Sequence, residues 1–217
     1  MHLDIDTLLF TQTLISGLSA GFLVVAWWFY KETTAALYWA AANLLLGAGV
    51  ALLAMQAILP AAIGALSIGA FVFADALIWG GARRFDRRPV LLPVVLAGPA
   101  VWILALLFAG YLPGDHVGVY ISWAATTLYL SAAAWEIWRN SGEKLISRWP
   151  VIVLLALRAL LFAIYFVDAL LGDPINGKPE LGTLFAVVNF EHFVFTIGTT
   201  VFLIVMMKER HEVQERE

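Results

Sequence analysis

The sequence predicts an all-α polytopic membrane protein, a bundle of seven transmembrane helices. Three observations predict it. Of the 217 residues, 62% are hydrophobic and only 13% are charged, where a soluble domain carries about 25% charged residues. The apolar residues fall in seven runs, each about as long as the roughly 20 residues a helical crossing needs. Basic residues gather at alternate ends of those runs, as cytoplasmic loops require. A mean hydropathy of +0.86 excludes a free soluble globule, a disordered tail and a nucleic-acid binder. The absence of cysteine excludes thiolate metal sites, iron–sulfur clusters and cysteine nucleophiles.

The spans are read at 8–30, 35–58, 61–80, 91–111, 117–138, 151–171 and 181–207. The first is not a cleavable signal peptide, because residues 1–6 are acidic and the apolar run exceeds an h-region. Pro60 ends the second span, and Gly80-Gly81 reads as a turn ahead of Arg83, Arg84, Arg87 and Arg88. Pro89 precedes the fourth span, where Pro93 and Pro99 are expected to bend or thin the helix. Pro150 opens the sixth span within its first turn, where proline is tolerated. Residues 172–180 form a turn-rich connection to the seventh.

One set of ends holds Lys31, the four arginines at 83–88, Arg139, Lys144, Arg148, Lys208, Arg210 and Arg216, eleven basic residues in all. The other set holds only Lys178, with Asp4, Asp6, Asp115, Asp173 and Glu180. The N-terminus is therefore expected outside and the C-terminus in the cytoplasm. Trp27, Trp28, Trp79, Trp135, Trp138 and Trp149 fall near the inner ends, as an interfacial belt would.

An ionisable group in the hydrocarbon needs a partner or a purpose. Asp75 lies roughly 21 Å down from the outer side and Arg158 roughly 12 Å up from the inner side, at 1.5 Å per residue. Glu191 and His192 sit near the midplane, and Asn43 lies at a depth close to that of Arg158. Arg158 keeps its proton, so it is expected to pair with Asp75 or Glu191. Two readings stay open: a structural ion pair locking the helices, or a pair that binds a ligand head group. On the last span Asn189, His192, Thr196, Thr199 and Thr200 share a stripe, while Glu191 is turned about 100° from His192. These neighbours are expected to face different surroundings. Glu136, beside Arg139, is expected at the interface.

A pocket, if present, is placed between spans three, six and seven. Its expected lining is Asn43, Asp75, Arg158, Asn189 and His192, suited to an anionic or polar head on an apolar body. No cofactor is implied. Haem or a metal at His192 is the weaker alternative to a buried hydrogen-bonded histidine, because no second histidine lies in a span. The last span contains no lysine to hold retinal, and no protease or HExxH pattern occurs, so nothing argues for catalysis. Gly17-x-x-x-Gly21 favours close helix packing, within one bundle or between protomers.

Past Met207 the chain turns strongly charged, without proline or glycine up to Glu217. That segment reads as a connector helix cut short, and Met206 and Val213, seven apart, suit a coiled-coil seam. Three features, the seven-span body, the Gly81-Ala-Arg-Arg-Phe-Asp-Arg-Arg-Pro89 loop and the Met207-Lys-Glu-Arg exit, carry a resemblance. In layout the whole chain resembles the N-terminal membrane sensor module of bacterial diguanylate cyclases of the GGDEF class. The GGDEF signature is absent, so the chain corresponds to the sensor part alone. The resemblance implies a sensor domain at 1–207, a signalling helix starting at 208–217, a homodimer joined through the last helix, and a bacterial inner membrane. It also implies an output domain that makes cyclic di-GMP. The same layout serves histidine kinases. The stimulus is expected to be a small-molecule or lipid-like ligand. The alternative is a small transporter moving an ion, a proton or a solute past the midplane charges, and a lipid- or haem-binding protein without signalling comes third.

Overall fold

The structure, a computed structural model, describes residues 5–31, 34–55, 61–108, 117–139, 145–171 and 181–216. Side chains are described for these except 5–6, 61–65, 108, 117, 169 and 181–189. Seven α-helices and no strand occur among them: α1 Ile5–Phe29, α2 Ala35–Ala54, α3 Ala61–Phe85, α4 Leu92–Phe108, α5 Val117–Arg139, α6 Arg148–Leu171 and α7 Leu181–Gln214. Five helices (α1, α2, α3, α6 and α7) are long and apolar enough to cross a membrane. The other two fall short for different reasons. α4 is apolar but has 17 residues. α5 has 23 but carries Ser122, Thr126, Thr127, Ser131 and Glu136.

Six helices close a ring. α1 packs on α2, α2 on α3, α3 on α5, α5 on α6, α6 on α7, and α7 returns to α1. α4 stays outside this ring against α3 and α5. The ring's outward surface is apolar, with Leu14 and Leu18 on α1, Leu157, Leu160 and Ile164 on α6, and Val194 and Val201 on α7 exposed. The interior is rich in small side chains: Ala20, Ala36, Ala40, Ala74, Ala82, Ala133 and Ala159 are buried. Lipid gives helices no hydrophobic reason to associate, so close backbone approach over small residues must hold them. An apolar outer surface over an interior with many small residues suits a hydrocarbon solvent.

The structure corrects several expectations. Gly80-Gly81 is no turn, because α3 runs through it to Phe85. A Cβ on Gly81 would stand 2.3 Å from Trp39 Nε1, so this glycine admits the indole of α2 against the α3 backbone. The turn comes later. Arg87 has φ 58, the left-handed region that glycine favours. The Arg88 N–H donates to Arg83 O at 2.9 Å and the Arg87 N–H to Arg84 O at 3.1 Å, closing a Schellman cap. α2 ends at Ala54, where the sequence suggested 58, and Pro60 lies outside the described residues.

α4 shows what its prolines do. Pro99 sits inside the helix. Beside it the Tyr129 hydroxyl of α5 accepts from Gly98 N at 2.9 Å and donates to Val94 O at 2.7 Å, bridging an i,i+4 pair of the α4 ladder. Trp28, Trp135, Trp138 and Trp149 are exposed, as a belt requires. Trp79 is not: it is buried beside Tyr129 at a 6.4 Å ring separation.

Candidate functional site

The ring surrounds a partly open cavity of about 220 Å³. All six ring helices line it, among them Leu9 and Gln12 of α1, Val50 of α2, Ser67, Phe71 and Asp75 of α3, Ser122, Trp123 and Thr126 of α5, Arg158 and Phe162 of α6, and His192 of α7. It lies between the start of α1, the end of α2 and the starts of α3 and α5, the half of the bundle nearest the N-terminus. The expected site lay between spans three, six and seven, with Asn43 of the second span in its lining. α1 and α5 were missed because serine, threonine and glutamine on an apolar helix have an ordinary alternative, bonding to their own helix.

Arg158 is buried and sits at one end of the cavity. Its Nη2 lies 3.0 Å from His192 Nδ1, and its Nε lies 3.7 Å from Glu191 Oε1. A guanidinium only donates, so Nδ1 accepts and the imidazole proton sits on Nε2. The Phe195 and Phe162 rings stand 4.1 Å and 5.4 Å from the guanidinium carbon, on cation–π geometry. Of the two carboxylates considered, Glu191 faces Arg158. Glu191 and His192 do differ in surroundings, His192 being buried on the cavity wall and Glu191 lying off that wall with its side chain 20% exposed, but they share Arg158. The helical angle between them is real, but the guanidinium fork is wide enough to meet both.

Asp75 is engaged elsewhere. The Thr126 hydroxyl donates to its Oδ2 at 2.5 Å, across the α3–α5 seam. Its Oδ1 is buried with no hydrogen-bond partner, and the same holds for Gln12 Oε1, Arg158 Nη1 and His192 Nε2. All four belong to residues on the cavity wall. Buried polar groups left unpaired cost about 1–3 kcal/mol each, more when charged. Four on one cavity mark a place that is wet or filled.

Two expected residues do not join them. Asn43 donates from Nδ2 to Trp39 O at 2.9 Å, one turn back on α2, and lines a separate void of about 20 Å³ with Trp39 and Thr199. The side chain of Asn189 lies outside the described residues. On α6, Tyr165 packs 5.8 Å from the Trp123 ring, and Asp168 is exposed. Among the described residues no group of three His, Cys, Asp or Glu is placed to hold a metal.

A second polar cluster lies at the opposite end of the bundle. Glu136, expected at the interface, is buried. It meets Arg83 Nη1 at 2.6 Å, Arg88 Nη1 at 3.3 Å and Arg139 Nη1 at 3.8 Å. Arg83 and Arg88 arrive from the end of α3 and the turn after it, which the sequence could not place beside α5. The exit of α7 is bound here too. Ser147 donates to Glu209 Oε2 from Oγ at 2.6 Å and from N at 3.1 Å. Arg210 is buried, donates to Phe85 O, and lies 3.8 Å from Asp86. Met206 is fully buried within the bundle while Val213 is exposed, so the Met206–Val213 seam is corrected: Met206 is already used inside its own protomer.

No protein-family model, curated protein or solved structure matches the chain.

Proposed function

We propose that the chain is a seven-helix membrane sensor module of a bacterial inner membrane, with its N-terminus outside and its C-terminus in the cytoplasm. It receives a small ligand in the ring cavity and relays the event through α7 to a cytoplasmic output domain, of the diguanylate cyclase type in the resembled layout. One observation carries the reading. α7 is a single helix of 34 residues that meets Arg158 through Glu191 and His192, and meets the opposite end of the bundle through Glu209 and Arg210. From His192 to Arg210 is about 27 Å of unbroken helix at 1.5 Å per residue. A change at the cavity therefore reaches the far end through one rigid element, and helix shifts of about 1–2 Å are typical of such switches. Dimerisation, with Met206 unavailable, is assigned to the exposed α7 face of Phe190, Val194, Ile197, Val201 and Val205.

The test joins the chain after Glu217 to a cyclase reporter in cells. Arg158→Leu, Glu191→Gln and His192→Phe are expected to lock output high or low without loss of membrane insertion. Output that stays regulated in all three variants counts against the relay.

A second reading, transport, has its own observation. Below Arg158 the buried Thr196 and Thr200 hydroxyls have no hydrogen-bond partner, which extends the unpaired polar groups along α7 past the cavity floor. Ion or proton flux through the purified chain in liposomes, abolished by Arg158→Leu, supports this reading over the relay.

A further inference from the structure

The reading of the cavity as a receiving site leaves its ligand open, and the inference that follows rests on that reading. Charge arithmetic inside the ring narrows the choice. Arg158 is matched by Glu191 at 3.7 Å and covered by the Phe195 and Phe162 rings, so one positive charge already has its negative partner. Asp75, only 2% exposed, is a second carboxylate, and its neighbour Thr126 supplies a hydrogen bond without a charge. The cavity wall carries Asp75 and Arg158, and with Glu191 behind Arg158 the ring interior holds two carboxylates against one guanidinium. An uncompensated carboxylate in a hydrocarbon-like interior is costly.

Asp75 Oδ1 and Gln12 Oε1 are both buried acceptors without a donor, on the wall of one cavity. The remaining wall is aromatic and aliphatic, with Phe71, Trp123 and Phe162 among it. Acceptor oxygens, one unbalanced negative charge and aromatic faces together match an ammonium. The cavity is too large for a bare ion. Benzene fills a void of about 150 Å³, so by proportion this one suits about nine non-hydrogen atoms.

We propose that the cavity binds a small organic amine, its ammonium facing Asp75 and Gln12 and its apolar body lying against Phe71 and Trp123. This reverses the anionic head group that Arg158 suggested from sequence. That residue is the most conspicuous charge in the membrane, but Glu191 has already answered it.

The test uses the purified chain in lipid nanodiscs, with 2-phenylethylamine and the similarly sized anion phenylacetate as probes in titration calorimetry. The amine is expected to bind at least about tenfold more tightly than the acid, a difference of about 1.4 kcal/mol. Asp75→Asn is expected to weaken the amine by about thirtyfold or more, as loss of one partner of a buried charge pair does. Gln12→Leu, which leaves every charge in place, is expected to weaken it several-fold. Absence of amine binding, equal binding of the acid, or an affinity unchanged in both variants overturns the proposal. So does displacement of the amine by sodium ion at equal concentration, which would make this an inorganic cation site. Spin labels on Arg87→Cys and Lys208→Cys in the same samples report α7 movement. Binding without movement defeats the relay and leaves the ligand class standing, whereas output altered by the variants in the relay test, without amine binding, defeats only the ligand class.

Discussion

Arg210 sits over the ring of Phe85, its guanidinium carbon 3.6 Å from the ring centroid, and donates to the Phe85 carbonyl oxygen. Phe85 is the last residue of α3, so the cation serves its carbonyl at a helix C-terminus where the Schellman bonds already serve Arg83 and Arg84. The segment past the seventh apolar run is thereby tied to the third helix and does not simply leave the bundle. Arg210→Ala is expected to lower stability by about 2–3 kcal/mol, the range for a lost charge-assisted hydrogen bond plus its ring contact. Arg210→Lys, which keeps the charge but loses the planar fork, is expected to recover less than half. Denaturant titration in detergent micelles measures both. Equal stability of wild type and Arg210→Ala would show the contact to be incidental.

The bridge made by Tyr129 predicts a second sensitive position. Its hydroxyl serves Gly98 N and Val94 O together, so Tyr129→Phe deprives two backbone groups of α4 at once. The expected cost is about 1–3 kcal/mol, confined to α4. Hydrogen exchange of the Gly98 amide is the readout, expected to quicken in the variant while the α1 and α2 amides keep their protection. A uniform rise across the chain would instead mean global destabilisation.

The helices were legible because runs of about 20 apolar residues admit few other readings. Arg158 was legible as paired because a guanidinium keeps its proton and so requires a counter-charge. What was not legible depends on which helix neighbours which. Thr126 and Gln12 look like ordinary helix residues until the ring places Asp75 and the cavity beside them. Glu136 looks interfacial until the turn after α3 delivers Arg83 and Arg88 to it. Gly81 was misread because a glycine pair signals a turn in water, whereas between packed helices it signals a close approach, here by Trp39.

Removal of Arg158 tests which carboxylate it serves. Arg158→Leu strands Glu191, and breaking a buried pair costs about 3–5 kcal/mol in soluble proteins. Glu191 is the more exposed partner, its side chain at 20% against 6% for Arg158, so the lower end is expected. Adding Glu191→Gln to Arg158→Leu is expected to recover a larger share than adding Asp75→Asn, because Asp75 holds its Thr126 bond whether or not Arg158 is present. A double-mutant cycle on thermal stability gives the two coupling energies. Stronger coupling to Asp75 would reverse the assignment.

The glycines divide into two groups with opposite expected outcomes. A Cβ at Gly81 meets Trp39 at 2.3 Å, and one at Gly98 meets Tyr129 at 2.7 Å. Overpacking of this kind costs about 1–3 kcal/mol, so Gly81→Ala and Gly98→Ala are expected to destabilise. At Gly17 and Gly21 nothing lies within 4 Å, because the α1–α2 approach uses Ser16 against Gly47 instead. Gly17→Ala and Gly21→Ala are expected to stabilise the protomer by about 0.5–1 kcal/mol each, the helix-interior gain of alanine over glycine. If a second copy packs on that open face, the same substitutions weaken dimerisation while the protomer gains. Thermal stability and cross-linking yield, measured on the same samples, separate the two effects.

The exit of α7 offers the most direct test of the relay, because its two attachments are close to the end of the helix. Glu209 is held by Ser147 and Arg210 by Phe85, and Val213 lies beyond both and is exposed. Two glycines inserted between Lys208 and Glu209 interrupt the helix above the attachments. Two inserted after Gln214 interrupt it below them. In the chain joined to a cyclase reporter, the upper insertion is expected to lower thermal stability and uncouple output, since Glu209 and Arg210 lose their register with α3 and Ser147. The lower insertion is expected to leave stability unchanged and still uncouple output, because glycine pairs break helical rigidity at about 1 kcal/mol per residue without touching the docked turn. A passive tail predicts the opposite pattern, in which neither insertion changes regulation and only the upper one lowers stability. Regulated output after the lower insertion would therefore place the signal in the docked turn itself and not in the helix that continues past it.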